Sequence, residues 1–139
     1  MKWDGDALRA GAMVALVFAV PLSIGARLAA DNDHPGVATI LVIGALIGFV
    51  IGAGSAAWAQ RTNTPLSHGI VTAASTYLVA QAVFVVVRVV RGDDVRWFSI
   101  VFNLMAVVGA GLIGGLLGQR LRASGITPRS VRRPDGDRR

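Results

Sequence analysis

Cysteine is absent from this 139-residue chain, which excludes disulfides, thiolate metal sites and cysteine nucleophiles together. Glutamate is absent too. All eight acidic residues are aspartates, at positions 4, 6, 31, 33, 93, 94, 135 and 137. Each lies outside the long apolar runs, so no membrane-embedded carboxylate is available for proton-coupled exchange. Charge is scarce, at 16% of residues against about 25% in a soluble domain. No Ser/His/Asp arrangement, phosphate-binding P-loop or carboxylate pair can be assembled from what is left. The expectation is a non-enzymatic protein with no cofactor and no metal. Asp31, Asp33 and His34 are adjacent, but three polar residues in a turn read as a solvated turn.

What is present is apolar and basic: 53% hydrophobic residues, 17 glycines, and 14 basic residues of which only Lys2 is not arginine. An Ala-, Gly-, Val- and Arg-rich composition suggests a GC-rich bacterial genome. A net charge of +6 invites a nucleic-acid reading, but the arginines sit at the ends of apolar runs and in a C-terminal tail. That is the distribution that orients a membrane protein, and no nucleic-acid partner is expected.

Four charge-free runs stand out: Ala10–Ala26, Pro35–Gln60, Thr62–Val87 and Trp97–Gln119. A bilayer core of ~30 Å needs roughly 20 helical residues; the first run reaches that length if Arg27 snorkels to the interface. Period-2 alternation is missing, so a membrane β-barrel is excluded. The fold class is therefore all-α, an integral membrane bundle of four helices, with spans at about 10–30, 35–60, 66–88 and 97–119. Residues 1–9 form a cytoplasmic N-terminus, 10–120 the transmembrane domain, and 121–139 a basic disordered tail suited to anionic lipid headgroups. Short connections make successive helices antiparallel neighbours. Pro35 suits a first helical turn, with Asp33 as its cap. Pro21 should kink the first helix. Lys2, Arg9, Arg61 and seven C-terminal arginines lie on one side and Arg27, Arg88, Arg91 and Arg96 on the other, which puts both termini in the cytoplasm. This suits a multi-pass protein of a bacterial inner membrane. A cleaved signal peptide is the competing reading of residues 1–30, opposed by Asp4, Asp6 and Pro21.

The glycines are ordered. Gly44, Gly48, Gly52 and Ala56 recur every fourth residue in helix 2. Helix 4 carries Gly111 with Gly115, and Ala106, Ala110, Gly114 and Gly118. Residues four apart share a helix face, so these are small-residue grooves that admit a close helix neighbour. Gly109-Ala110-Gly111-Leu112-Ile113-Gly114 matches G-x-G-x-x-G, yet no strand precedes it and no acidic residue follows at the required distance. Shifted by 59 positions, "GAGSAAWAQR" (52–61) lies on "GLIGGLLGQR" (111–120), and Gly11 falls on Gly69 at an offset of 58. Either the chain is two parallel hairpin repeats or two helix ends have converged on one composition.

Intramembrane polar groups point to function. Tyr77, Gln81, Phe84 and Arg88 share one face of helix 3, and His68, Thr72, Ser75 and Thr76 another. Gln81, Asn103, Tyr77, Arg88 and Arg27 form a candidate polar pathway, with Gln81 meeting Asn103 near mid-membrane. The blander reading is that these residues hydrogen-bond between helices. Arg91-Gly92-Asp93 spells an adhesion tripeptide, read as chance in so short a loop.

Ala56-Ala57-Trp58-Ala59-Gln60-Arg61 closing helix 2, His68-Gly69 opening helix 3 and Gly114-Gly115-x-x-Gly118 closing helix 4 together resemble small four-span bacterial membrane proteins of unknown function. The resemblance covers most of residues 10–120 and implies no activity. The essential glutamate of small multidrug exporters is missing from helix 1, and the motifs of small fluoride channels are absent. The leading expectation is a structural or accessory membrane protein that packs through its grooves against a second copy or a membrane partner. The alternative is a small channel or transporter lined by helices 3 and 4.

Overall fold

The computed structural model describes residues 3–126. Four helices account for nearly all of them: α1 (Gly5–Asp31), α2 (Pro35–Ala59), α3 (Pro65–Arg91) and α4 (Trp97–Ala123). The last thirteen residues of the basic tail lie outside the described residues, and with them most of its expected contacts with lipid headgroups. Each helix contains an 18-residue window of mean hydropathy between 1.9 and 2.5. At 1.5 Å per residue, 25 to 27 residues exceed the ~30 Å needed to cross a bilayer core. The chain is an all-α, multi-pass membrane protein.

The helices overrun the charge-free runs because charged residues serve as helix ends. Asp4 caps α1, its Oδ1 accepting from the Ala7 N–H at 3.2 Å, so α1 starts five residues before Ala10. Arg88 and Arg91 form the last turn of α3, where the negative end of the helix dipole favours cations. Gly92 then stops the helix in the left-handed region, at φ 74°, a conformation glycine adopts without steric cost. The tripeptide that follows Val90 is thus a helix stop. Arg120 and Arg122 do the same for the last turn of α4. One expectation is corrected. Asp33 does not cap α2: it takes φ 58° in the turn, and the N-cap is His34 with no side-chain bond. Pro21 lies inside α1, which runs on through it.

Packing follows the small residues. α1 and α4 do not touch each other; each packs on both α2 and α3, which also meet. Buried positions concentrate toward the end that carries both termini. Those of α3 run from His68 to Tyr77 and those of α4 from Val107 to Gly118. Ala15, Ala19, Phe49, Ala53, Ala73, Tyr77, Val107 and Ala110 form the apolar core. In the opposite half, toward the α1–α2 and α3–α4 turns, Val83, Val86, Phe98 and Phe102 are exposed.

Candidate functional site

The glycine rows are occupied within the chain. A Cβ built on Gly52 would sit 2.6 Å from the Gly11 carbonyl oxygen and 2.7 Å from the Ala15 Cβ; one on Gly48 would sit 2.6 Å from the Phe18 Cβ. Gly44 faces Leu22, and Ala56 meets Gly11. The whole α2 row therefore seats α1. On α4, Gly111 and Gly115 seat α3 through Gly69, Ala73 and Leu66. Gly114 and Gly118 seat α2 on its other side, against Val50, Ala53, Gly54 and Ala57. Real Cβ atoms do not approach backbone this closely, so glycine is required at the crossings. Of the two uses open to such grooves, contact with a partner or closure of the bundle, these rows serve the second: with little hydrophobic drive between helices in lipid, close backbone approach holds the bundle together.

The two hairpins share one crossing. Gly11 meets Gly52 and Ala56 in α1–α2; Gly69 meets Gly111 and Gly115 in α3–α4. Ala15 against Gly52 is matched by Ala73 against Gly111. These pairs are the ones the 58- and 59-residue offsets superimpose. Exchanging the hairpins fails elsewhere, because α2 packs on α3 while α1 makes no contact with α4.

At the terminal end a polar knot covers the closed half. His68 is fully buried. Its Nε2 accepts from the Asp4 N–H at 3.0 Å, so the ring proton is on Nδ1, which donates to the Thr64 carbonyl at 2.8 Å. Trp3 lies against the imidazole with ring centroids 5.4 Å apart. The Asp4 Oδ2 accepts from the Arg61 N–H at 3.0 Å. Gln60, also fully buried, holds the α2–α3 turn: its Oε1 accepts from the N–H groups of Thr62 and Thr64 at 2.7 and 3.4 Å. Arg122 reaches across from α4 to donate to the Gln60 carbonyl at 2.6 Å. Below the knot, the Thr72 and Thr76 hydroxyls are buried without a partner among the described residues. Thr39, Ser55 and Ser75 instead donate to the carbonyl four residues back, the usual remedy in an apolar helix. Ser75 is exposed and leaves the face it was expected to share with His68, Thr72 and Thr76.

At the other end α1 and α2 stay in contact through Gly44–Leu22 and Gly25–Leu41, and space opens beside them. A half-open cleft of about 630 Å³ lies between α1, α3 and α4. Arg27, Gln81, Arg88 and Asn103 all line it, which brings together four of the five pathway residues. Tyr77 sits below as part of the core, its hydroxyl donating to the Ile100 carbonyl at 3.0 Å and interacting with the Asn103 side chain. No hydrogen bond joins Gln81 to Asn103 among the described residues; they border a shared space. Ser23, Ser99, Arg91 and Arg96 complete the polar lining, with Asp31 and Asp93 the carboxylates. α2 contributes nothing to the wall. α1 and α4 are not packed neighbours, and α3, which packs on both, forms the third wall of the cleft.

No group of three His or Asp side chains able to hold a metal occurs among the described residues. Sequence reasoning did not find the knot, whose partners Asp4, Gln60, His68 and Arg122 come from four separate segments. Its only signals were a histidine on a buried face and Gln-Arg at the end of helix 2. Comparison with protein-family models, with curated proteins and with solved structures finds no match.

Proposed function

We propose that this chain is a small-solute carrier of the transporter class, non-enzymatic, with both termini in the cytoplasm of a bacterial inner membrane and its cleft open on the outer side. The observation that carries this reading is the convergence of Arg27, Gln81, Arg88 and Asn103, from three helices, on one half-open cleft. Intramembrane polar side chains that share a cavity are the usual mark of a solute path. The excess of Lys and Arg at the terminal end supports the orientation. The closed terminal half favours a carrier over an open pore, since passage requires Gly11, Gly52, Gly69 and Gly111 to part from their neighbours. The small-residue rows are filled by α1, α2 and α3 of the same chain, so a structural or accessory role would have to use another surface, and the carrier is the reading preferred here.

The test is flux into proteoliposomes, with chloride, acetate, phosphate and glycerol as probes. The expected result is protein-dependent uptake of at least one of them, lost in the Gln81→Leu/Asn103→Leu double variant. Uptake of all four at the rate of protein-free liposomes would retire the carrier reading.

A further inference from the structure

Arg27 of α1, Arg88 and Arg91 of α3, and Arg96 of the following turn all line the same cleft. Only Asp31 and Asp93 oppose them there. Arg88 donates through Nη1 to the Asp94 carbonyl at 2.9 Å, which fixes its stem and leaves the rest of its guanidinium fork toward the cleft. Arg27, Arg91 and Arg96 have no hydrogen bond or ion pair among the described residues. Asp31 and Asp93 line the same cleft and pair with none of them among the described residues. Guanidinium groups placed beside acids ordinarily pair with them, and here they are spread around a common space instead. Farther in, Ser23, Ser99, Gln81 and Asn103 add neutral donors. A cavity of about 630 Å³ is within the range that holds small ligands.

We infer that the cleft binds an anion of the phosphate class, held by Arg27 and Arg88 from facing helices and by the neutral donors farther in. Arginine suits this role because its planar fork meets phosphate oxygens two at a time. Four arginines against two aspartates leave an excess of positive charge around the cleft, which favours an anionic occupant. The same chemistry is offered by a free phosphate and by the phosphodiester headgroup of an anionic lipid. α1 and α4 are not packed neighbours, so a headgroup moving in the bilayer plane would enter between them. This inference rests on the cleft being a water-filled site, as proposed above.

The absence of cysteine provides the experiment, since a single introduced thiol reports on one place only. Ser99→Cys in the cleft and Gly36→Cys in the turn region on the same side, where nothing crowds the backbone, are compared in a phosphate-free maltoside detergent. Each is reacted with an anionic and a cationic methanethiosulfonate. The anionic reagent should gain about tenfold over the cationic one at Ser99→Cys relative to Gly36→Cys, and Arg27→Gln/Arg88→Gln should abolish the gain. Added inorganic phosphate should slow the reaction at Ser99→Cys if the ligand is soluble. Phosphatidylglycerol, and not phosphatidylcholine, should slow it if the ligand is a headgroup. Labelling of Ser99→Cys with no charge preference and no protection by either probe overturns the anion inference and leaves the water-filled cleft standing. Failure of both reagents to label Ser99→Cys while Gly36→Cys reacts overturns the cleft reading and the inference with it. Arg27 is exposed, so its replacement is compatible with folding, and an unchanged melting temperature of the double variant checks this.

Discussion

In the terminal half, glycine and alanine bring helix backbones into contact, and the fully buried Gln60 and His68 are drawn with Asp4 and Arg122 into one polar knot. In the loop half, the same four helices carry valine, phenylalanine and isoleucine outward to lipid, and arginine, glutamine and asparagine toward a cleft. The difference lies in side-chain size at the crossing points. Where Gly52 faces Gly11, backbones meet; in the other half Phe84 and Ile100 line a cleft instead. One helix set thus makes a rigid closed end and an open end, and mutations in the two should behave differently.

The largest effect is expected at the crossings. Gly52→Leu or Gly114→Leu forces a side chain into backbone that an added Cβ alone would already strike. Each should cost roughly 3 kcal/mol or more and abolish the folded, monodisperse species on size exclusion. Gly109→Leu is the control: nothing lies within 4 Å of its Cβ position, and it should fold as the parent does. His68→Ala comes next. It leaves the Asp4 N–H without its acceptor and opens space beneath Trp3, a loss of about 2 kcal/mol visible as a lower melting temperature by circular dichroism. Thr72→Val and Thr76→Val should go the other way. Each replaces a buried hydroxyl without a partner by a methyl group of the same shape, so stability should hold or rise by up to about 1 kcal/mol. A clear loss would mean that these hydroxyls have a partner in the membrane. The smallest effect belongs to the open half. Gln81→Leu and Asn103→Leu should change the melting temperature by less than the equivalent of about 0.5 kcal/mol while altering solute uptake. Comparable destabilisation in both halves would remove the distinction between them.

The four helices were legible in the sequence because each is a long charge-free run, and the glycine rows because their period is helical. Their ends were less so. Asp4, Arg88, Arg91, Arg120 and Arg122 are charges, and a search for uncharged runs stops short of them although a helix end favours them. The cleft was half legible: periodicity gathered Tyr77, Gln81 and Arg88 on one face, but only tertiary packing shows that Arg27 and Asn103 border the same space and that Tyr77 belongs to the core. The rows announced close contact without naming the partner, since a groove looks the same in sequence whether another chain fills it or the next helix does. The knot was out of reach, because its hydrogen bonds join residues 57 to 64 positions apart and leave no local period.

The crossing that recurs at Gly11–Gly52 and Gly69–Gly111 also bears on biosynthesis. Each seam is internal to one hairpin, so α1 and α2 hold all they need to zip together while the ribosome is still making α3. The second hairpin then docks, as a finished piece, on a surface already formed. A chain severed at Asn63, in the exposed turn between the two, should accordingly be recovered as a complex when its halves are co-expressed.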